Sequence, residues 1–314
     1  MNFFKLHGLS SRNNIQHGNL LKRNQQRTHN LLFTQFMKKT RVLFVSQEIF
    51  PYLPESFMAK TARELPQAIQ EKGREIRTFM PRYGNINERR NQLHEVIRLS
   101  GMNLIIDDND QPLIIKVASI QSARMQVYFI DNEEYFQRKM VVTDKNNQYF
   151  EDNDERMLFF CKGVIETVKK LGWSPDLIHC HGWMAAMIPV LIKVKYKDDP
   201  LFAESKVVVS LYDDGFNPAM DKRLAEKLVM DGIALDKLDL IQTPDHSSIM
   251  KFAISFADGV VETESGVKQE LIDFAVASGK PFLGVQSDAS SLADACSDFY
   301  DEVLLGEQVA ELAE

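Results

Sequence analysis

RVLFVSQEIFPYLPESFMAKTARELPQAIQEKGREIRTFM, running from Arg41 to Met80, is the stretch whose reading decides the fold class. Its first six residues, Arg41 to Ser46, form a short, β-branched, apolar run of the kind that a parallel strand buried on both faces requires. A loop containing Pro51 and Pro54 follows. From Ala59 to Lys72 the apolar residues Ala62, Leu65 and Ile69 recur at helical spacing, and Gly73 ends the run. Glu75 to Met80 is a second strand-like run. Strand, loop, helix and strand in that order open a doubly wound α/β sheet.

Downstream the pattern departs from this alternation and then returns to it. Residues 96–106, 113–120 and 125–130 are strand-like, broken by the turn signal Asp107-Asp108-Asn109-Asp110, with no long helix between them. They predict a small antiparallel excursion. A long helix is expected over 153–171, with Asp152 as its N-cap and Gly172 closing it. Strands are then predicted at 177–180, 206–211, 259–262 and 281–285, and helices at 183–194, 247–257 and 265–277. The fold class expected is α/β: one Rossmann-like domain, mostly parallel, with helices on both faces.

The two ends differ from the middle. Residues 1–36 carry five Lys/Arg and no Asp or Glu, whereas Asp288 to Glu314 carries eight acids and no Lys or Arg. Residues 1–36 fit either a transit peptide or an extension ahead of a start at Met37, and are expected to be disordered in both cases. The domain is expected to run from 37 to 286, with 287–314 an acidic tail. Within that tail 292–305 has the spacing of a terminal amphipathic helix.

The net charge of −7 gives no electrostatic footprint for nucleic acid. No apolar run reaches the roughly 18 residues a membrane span needs. Three cysteines, Cys161, Cys180 and Cys296, are odd in number and irregular in spacing, which argues against a disulfide framework and for a reducing, cytoplasmic setting.

Chemistry is expected where the predicted strands end, because ligands of open α/β sheets bind at the carboxyl edge. His179 and His181 lie at such an end, two residues apart and so on one face. They suit contact with a sugar or phosphate, or a hydrogen-bonded structural role. A metal site would need further ligands, and none is suggested nearby. Trp183 offers either a ring platform for a sugar or packing beneath the next helix. Asp152, Asn153, Asp154 and Glu155 read as capping and solvated charge, and Asp213-Asp214-Gly215 as a turn. The loop Gln47 to Met58 has no glycine, so nothing in it lets backbone amides approach a phosphate closely.

Several phrases resemble the glycogen/starch synthases, ADP-glucose-dependent glycosyltransferases of the two-lobed GT-B type. Phe79-Met80-Pro81-Arg82-Tyr83-Gly84 is similar to that family's LPRYG. Residues 127–136, VYFIDNEEYF, are similar to VYFIDNPEYF. Asp152-Asn153 with Arg156 and Phe159-Phe160 is similar to DNxxRFxFF. Leu171-Gly172-Trp173 through His179-Cys180-His181-Gly182-Trp183 is similar to LGWxPDVIHCHDW, and Phe256 to Val261 to YADGVV. The resemblance runs in order from about 41 to about 279. It implies the N-terminal, glucan-acceptor lobe of such an enzyme, with Glu48, Tyr83, Asp152, Asn153, His179, His181 and Trp183 on the sugar side. No cofactor and no metal are expected.

At the family's SEVAPFAKTGGLADVV loop the chain departs. Pro54, Glu55, Ser56, Phe57 and Met58 stand for KTGGL, Lys60 for the aspartate, and Gly182 for the aspartate of HDW. These changes remove a cation, add a carboxylate and put side chains where backbone would approach a diphosphate. The chain is therefore expected to act in α-glucan metabolism, with α-1,4-glucan rather than ADP-glucose as its ligand, and to be inactive without a donor lobe. The alternatives are a non-catalytic glucan-binding or protein-docking module, or the acceptor half of a split synthase.

Overall fold

The computed structural model describes residues 39–311. The extension expected over 1–36 lies outside the described residues. The chain order is β1 (Arg41–Ser46), α1 (Phe57–Glu71), β2 (Glu75–Pro81), β3 (His94–Glu95), β4 (Met102–Ile106), β5 (Asn109–Ile120) and β6 (Met125–Asp131). Then come α2 (Asn153–Leu171), β7 (Leu177–His181), β8 (Lys206–Leu211), α3 (Leu224–Met230) and α4 (His246–Phe256). The chain continues through β9 (Gly259–Glu262), α5 (Gln269–Ala277), β10 (Phe282–Leu283) and α6 (Ala289–Glu311).

The strands lie in the order β10-β9-β8-β7-β1-β2-β6-β5-β3. From β10 to β6 every pairing is parallel. Beyond β6, β5 runs antiparallel, and both β3 and β4 pair antiparallel with it. This is the mostly parallel α/β sheet with the antiparallel excursion that the sequence predicts. The chain builds outward from β1 through β2 to β6, then returns to add β7 on the other side of β1 and continues away. The strand order thus reverses between β1 and β7, where Val42 pairs with Leu177 and Ser46 with His181. A crevice outside the carboxyl ends at such a reversal is where this architecture accepts ligands.

Alternation along β1 sorts the core into two layers. Leu43 and Val45 join Ile178, Cys180, Val207 and Val209 on the face covered by α2 and α4. Val42 and Phe44 join Leu177, Val208 and Val261 on the face covered by α1 and α6. The acidic segment expected as a tail is therefore an integral helix. Its Leu292, Cys296, Phe299, Tyr300 and Val303 are buried. Its acids face Lys72 and Arg74, with Lys72 Nζ 2.6 Å from Asp294 and Arg74 3.0 Å from Asp301. Net charge conceals this role, because the acids occupy the solvent side of an otherwise regular apolar stripe.

Two local expectations change. The helix predicted over 183–194 is three short pieces: a 3-10 turn at Trp183–Ala185, an α turn at Ile188–Val190 and a π segment at Leu191–Lys195. Pro189, which has no N–H to donate, sits at the start of the second piece. Asp152 occupies the N-cap position of α2 without making a cap hydrogen bond. Its carboxylate instead accepts two hydrogen bonds from Arg138, at 2.6 and 2.5 Å. A bidentate guanidinium is the stronger partner for a carboxylate than one backbone amide.

Candidate functional site at the sheet reversal

The loop leaving β1 folds back across β7 and closes on itself. Gln47 N donates to His181 O at 3.2 Å, and Met184 N donates to Gln47 Oε1 at 3.3 Å. Ser56 caps α1 by accepting from Ala59 N at 2.9 Å, and its hydroxyl donates to Glu48 Oε2 at 2.5 Å. Glu48, a sugar-side candidate, thus holds the loop shut against the helix start.

Met58, 5% exposed, is the plug of the crevice. It lies over Gly182, whose φ of 81° and ψ of 164° fall in a region populated essentially by glycine alone. A Cβ at Gly182 would sit 2.8 Å from Met58 Cε and 3.2 Å from Asp214 Oδ2. Asp214 Oδ2 accepts from Trp183 N at 2.9 Å, and its Oδ1 lies 3.0 Å from His246 Nε2. Asp214, which the sequence presents as a turn residue, is therefore the anion of this edge. Of the other positions in the altered loop, Pro54 and Glu55 are exposed, Ser56 is half-buried and Phe57 projects into solvent.

The two histidines share one face, as their spacing requires, with ring centroids 4.1 Å apart. Both are fully buried. His179 Nδ1 lies 2.6 Å from the Tyr300 hydroxyl and Nε2 2.8 Å from Ser210 Oγ. His181 Nδ1 lies 2.7 Å from the Tyr212 hydroxyl, and its Nε2 has no partner. Burial pushes His181 down to about 3 and His179 well below the usual imidazole range. Both are neutral at physiological pH and sealed from solvent.

The remaining candidates are also interior. Trp183 packs edge-on against Phe216 at 5.1 Å, so its ring is not presented to solvent. Tyr83 is buried against Phe136. Asn153 donates to Val142 O at 2.9 Å and accepts from Arg156 at 2.6 Å. Arg156, itself buried, also donates to the carbonyls of Tyr135 and Val141, both at 2.7 Å. Together these residues shape the 135–153 segment from within.

What that segment presents outward is a groove of about 360 Å³, whose Phe216 packs against Trp183. Tyr149, Phe150 and Asn153 line one wall, and Phe216, Pro218 and Met220 the other. The Tyr149 and Phe216 rings are 6.0 Å apart. Glu151 and Asp221 supply acceptors at the rim. Aromatic faces with a few polar groups suit the apolar face and the hydroxyls of a sugar. The sequence signal for this groove was aromatic residues placed in polar loops, which periodicity does not register. A larger cleft of about 620 Å³ is lined by β4 and the middle of α2, not by the loops of the reversal. Its lysines are ion-paired, with Lys162 and Lys195 both on Asp231. Among the described residues, no group of three His, Cys, Asp or Glu side chains is placed to hold a metal ion, and no helix is long and apolar enough to cross a membrane.

Residues 41–280 match the family model described as starch synthase catalytic domain. The chain belongs to the starch synthase catalytic domain family. The glycogen synthase of Chlorobium limicola is 34% identical over 233 residues, which cover 74% of this chain and 47% of that relative. The glycogen synthase of Chlorobaculum tepidum is 33% identical over 276 residues, covering 85% of this chain and 52% of the relative. This starch synthase family domain also shares its fold with the catalytic domain of Starch Synthase IV from Arabidopsis thaliana, a structure bound to ADP and acarbose. The TM-score is 0.64 and the identity 18%, over 79% of this chain and 51% of the other. The chain thus spans about half the length of the curated relatives it matches.

Proposed function

We propose that this domain binds α-1,4-glucan in the Tyr149–Phe216 groove and does not by itself transfer glucose from ADP-glucose. The observation that carries the reading is the groove itself: Tyr149, Phe150 and Phe216 line it, with the Tyr149 and Phe216 rings tilted against each other at 6.0 Å and the carboxylates of Glu151 and Asp221 beside them. The names of the relatives, glycogen synthases, support the choice of glucan. The plug supports the second half of the proposal, because Met58 fills the crevice over Gly182 and the loop offers Glu48 and Glu55 but no cation to a diphosphate. Three free, buried cysteines support a reducing setting such as the cytoplasm.

Calorimetry with maltoheptaose tests the first half. Saturable binding is expected, and Tyr149→Ala and Phe216→Ala are each expected to weaken it about tenfold, since loss of one stacking ring removes roughly 1–2 kcal/mol. A chain that binds no maltoheptaose would refute it. Incubation with ADP-[14C]glucose and glycogen tests the second: no label should enter glycogen, and measurable turnover by the purified chain would overturn it.

One feature favours a protein partner as an additional role. Phe57, 50% exposed, stands at the lip of the plugged crevice, where a synthase or a donor domain could dock. Co-elution of the chain with a synthase, abolished by Phe57→Ser, would support this reading.

A further inference from the structure

The groove's two walls come from separate segments, and one ammonium joins them. Tyr149 to Asn153 leads into α2, while Phe216 to Asp221 leads into α3. Lys227, on α3, has a side chain only 2% exposed. Its Nζ lies 2.6 Å from Asp154 Oδ2 and 2.8 Å from Glu155 Oε1, both in the first turn of α2. It also lies 3.5 Å from Asp221 Oδ2, on the opposite wall. Asp154 is fully buried and its Oδ1 has no partner. The other oxygen of Glu155 accepts from the Tyr135 hydroxyl at 2.9 Å. Three carboxylates, two in the first turn of α2 next to the groove residue Asn153 and one, Asp221, in the groove's lining, therefore share a single cation. If the task were only to fasten α3 to α2, apolar packing would serve at lower desolvation cost. An ion cluster instead makes the spacing of the walls depend on charge.

We infer that Lys227 is the positioning residue of the groove, its ammonium setting the separation of the two walls on which glucan binding depends. The inference rests on the groove being the glucan site. The charge state of the cluster changes within a mild range. Burial pushes the Asp154 carboxyl up to about 6, against the opposing pull of Lys227. Proton uptake there removes the one fully buried anion and leaves Lys227 to Glu155 and Asp221. The groups facing Lys227 are then Glu155, held by Tyr135, from the α2 side and Asp221 from the α3 side. A lysine that no longer faces Asp154 holds α2 less tightly, so the groove loses its fixed width below that pH.

The test uses the full chain and two readouts. Maltoheptaose affinity is measured from about pH 7.5 to about pH 5 for wild type, Lys227→Arg, Lys227→Gln and Asp154→Asn. Hydrogen exchange of a peptide spanning residues 216–221 is measured at neutral pH in the ligand-free proteins. Wild-type affinity is expected to fall about tenfold across that range, and Asp154→Asn to be flat. Lys227→Gln is expected to bind about tenfold more weakly at neutral pH and to exchange faster at 216–221, with Lys227→Arg restoring both. Unchanged exchange in Lys227→Gln, or a pH dependence that survives in Asp154→Asn, would overturn the inference. If no variant binds maltoheptaose at any pH, the glucan reading falls, and the exchange measurement still decides whether Lys227 fixes the wall.

Discussion

Gly182 shows how one residue can redirect a site. Where the family pattern has an aspartate, this chain has a backbone at φ 81° and ψ 164° that an L side chain resists, and the space above it is taken by Met58. The carboxylate of this edge comes from Asp214 instead, which receives the Trp183 amide. Gly182→Ala is expected to cost about 1–3 kcal/mol from backbone strain alone, measurable as a lowered urea midpoint. Met58→Ala should not rescue it, because the strain is in the backbone and not in the contact. Full rescue would mean that the contact with Met58 was the whole effect. Neither feature was legible beforehand. The substitution of Gly182 was visible in the sequence, but its conformation and its pairing with Met58 depend on where two distant loops meet.

Among the elements, α6 is the one that changes the reading most. It lies against the face of β1, β7 and β8 that carries Phe44, Leu177 and Val208, and it supplies the Tyr300 hydroxyl to His179. Gly259 of β9 lets it approach closely: a Cβ there would lie 2.9 Å from both Phe299 Cζ and Val303 Cγ2. Phe299→Ala is expected to destabilise the domain by about 3–5 kcal/mol, as for other buried aromatic truncations. Tyr300→Phe should cost about 1–3 kcal/mol by leaving a buried imidazole nitrogen without its partner. Thermal unfolding of both variants checks this. Near wild-type midpoints would reduce α6 to a surface ornament. The 292–305 periodicity did announce a helix, yet periodicity cannot say which sheet face the helix covers, and the charge count pointed to a tail.

At the scale of the whole molecule, the buried imidazoles make stability depend on pH. The folded pKa values of His179 and His181 lie below the unfolded value of about 6.5. The unfolded chain therefore takes up those protons first, and stability is lost as pH falls through that value. Asp154 acts in the opposite sense, since its carboxyl, raised to about 6, makes the folded chain take a proton first. Below about pH 6, two protons favour the unfolded state and one the folded. On these three groups alone, stability therefore falls as the pH drops below about 6. Urea unfolding at several pH values should show stability falling on acidification, and His181→Gln should flatten the fall. A pH-independent stability would contradict the sealed, neutral state of these rings.

Most of the order of elements, the parallel sheet, the antiparallel excursion and the family were determined by the sequence, because strand and helix periods, turn residues and extended motifs are local properties of the chain; the short helix at Leu224–Met230 and the strand at His94–Glu95 were not. The position of the reversal between β1 and β7 follows from the strand order, which only pairing in three dimensions sets. That His179, His181 and Trp183 lie inside and not on the surface was decided by packing, which belongs to the folded molecule. The aromatic groove and the Lys227 cluster were likewise products of the tertiary structure, since each joins residues from segments far apart in the chain whose separate sequences carry no sign that they touch.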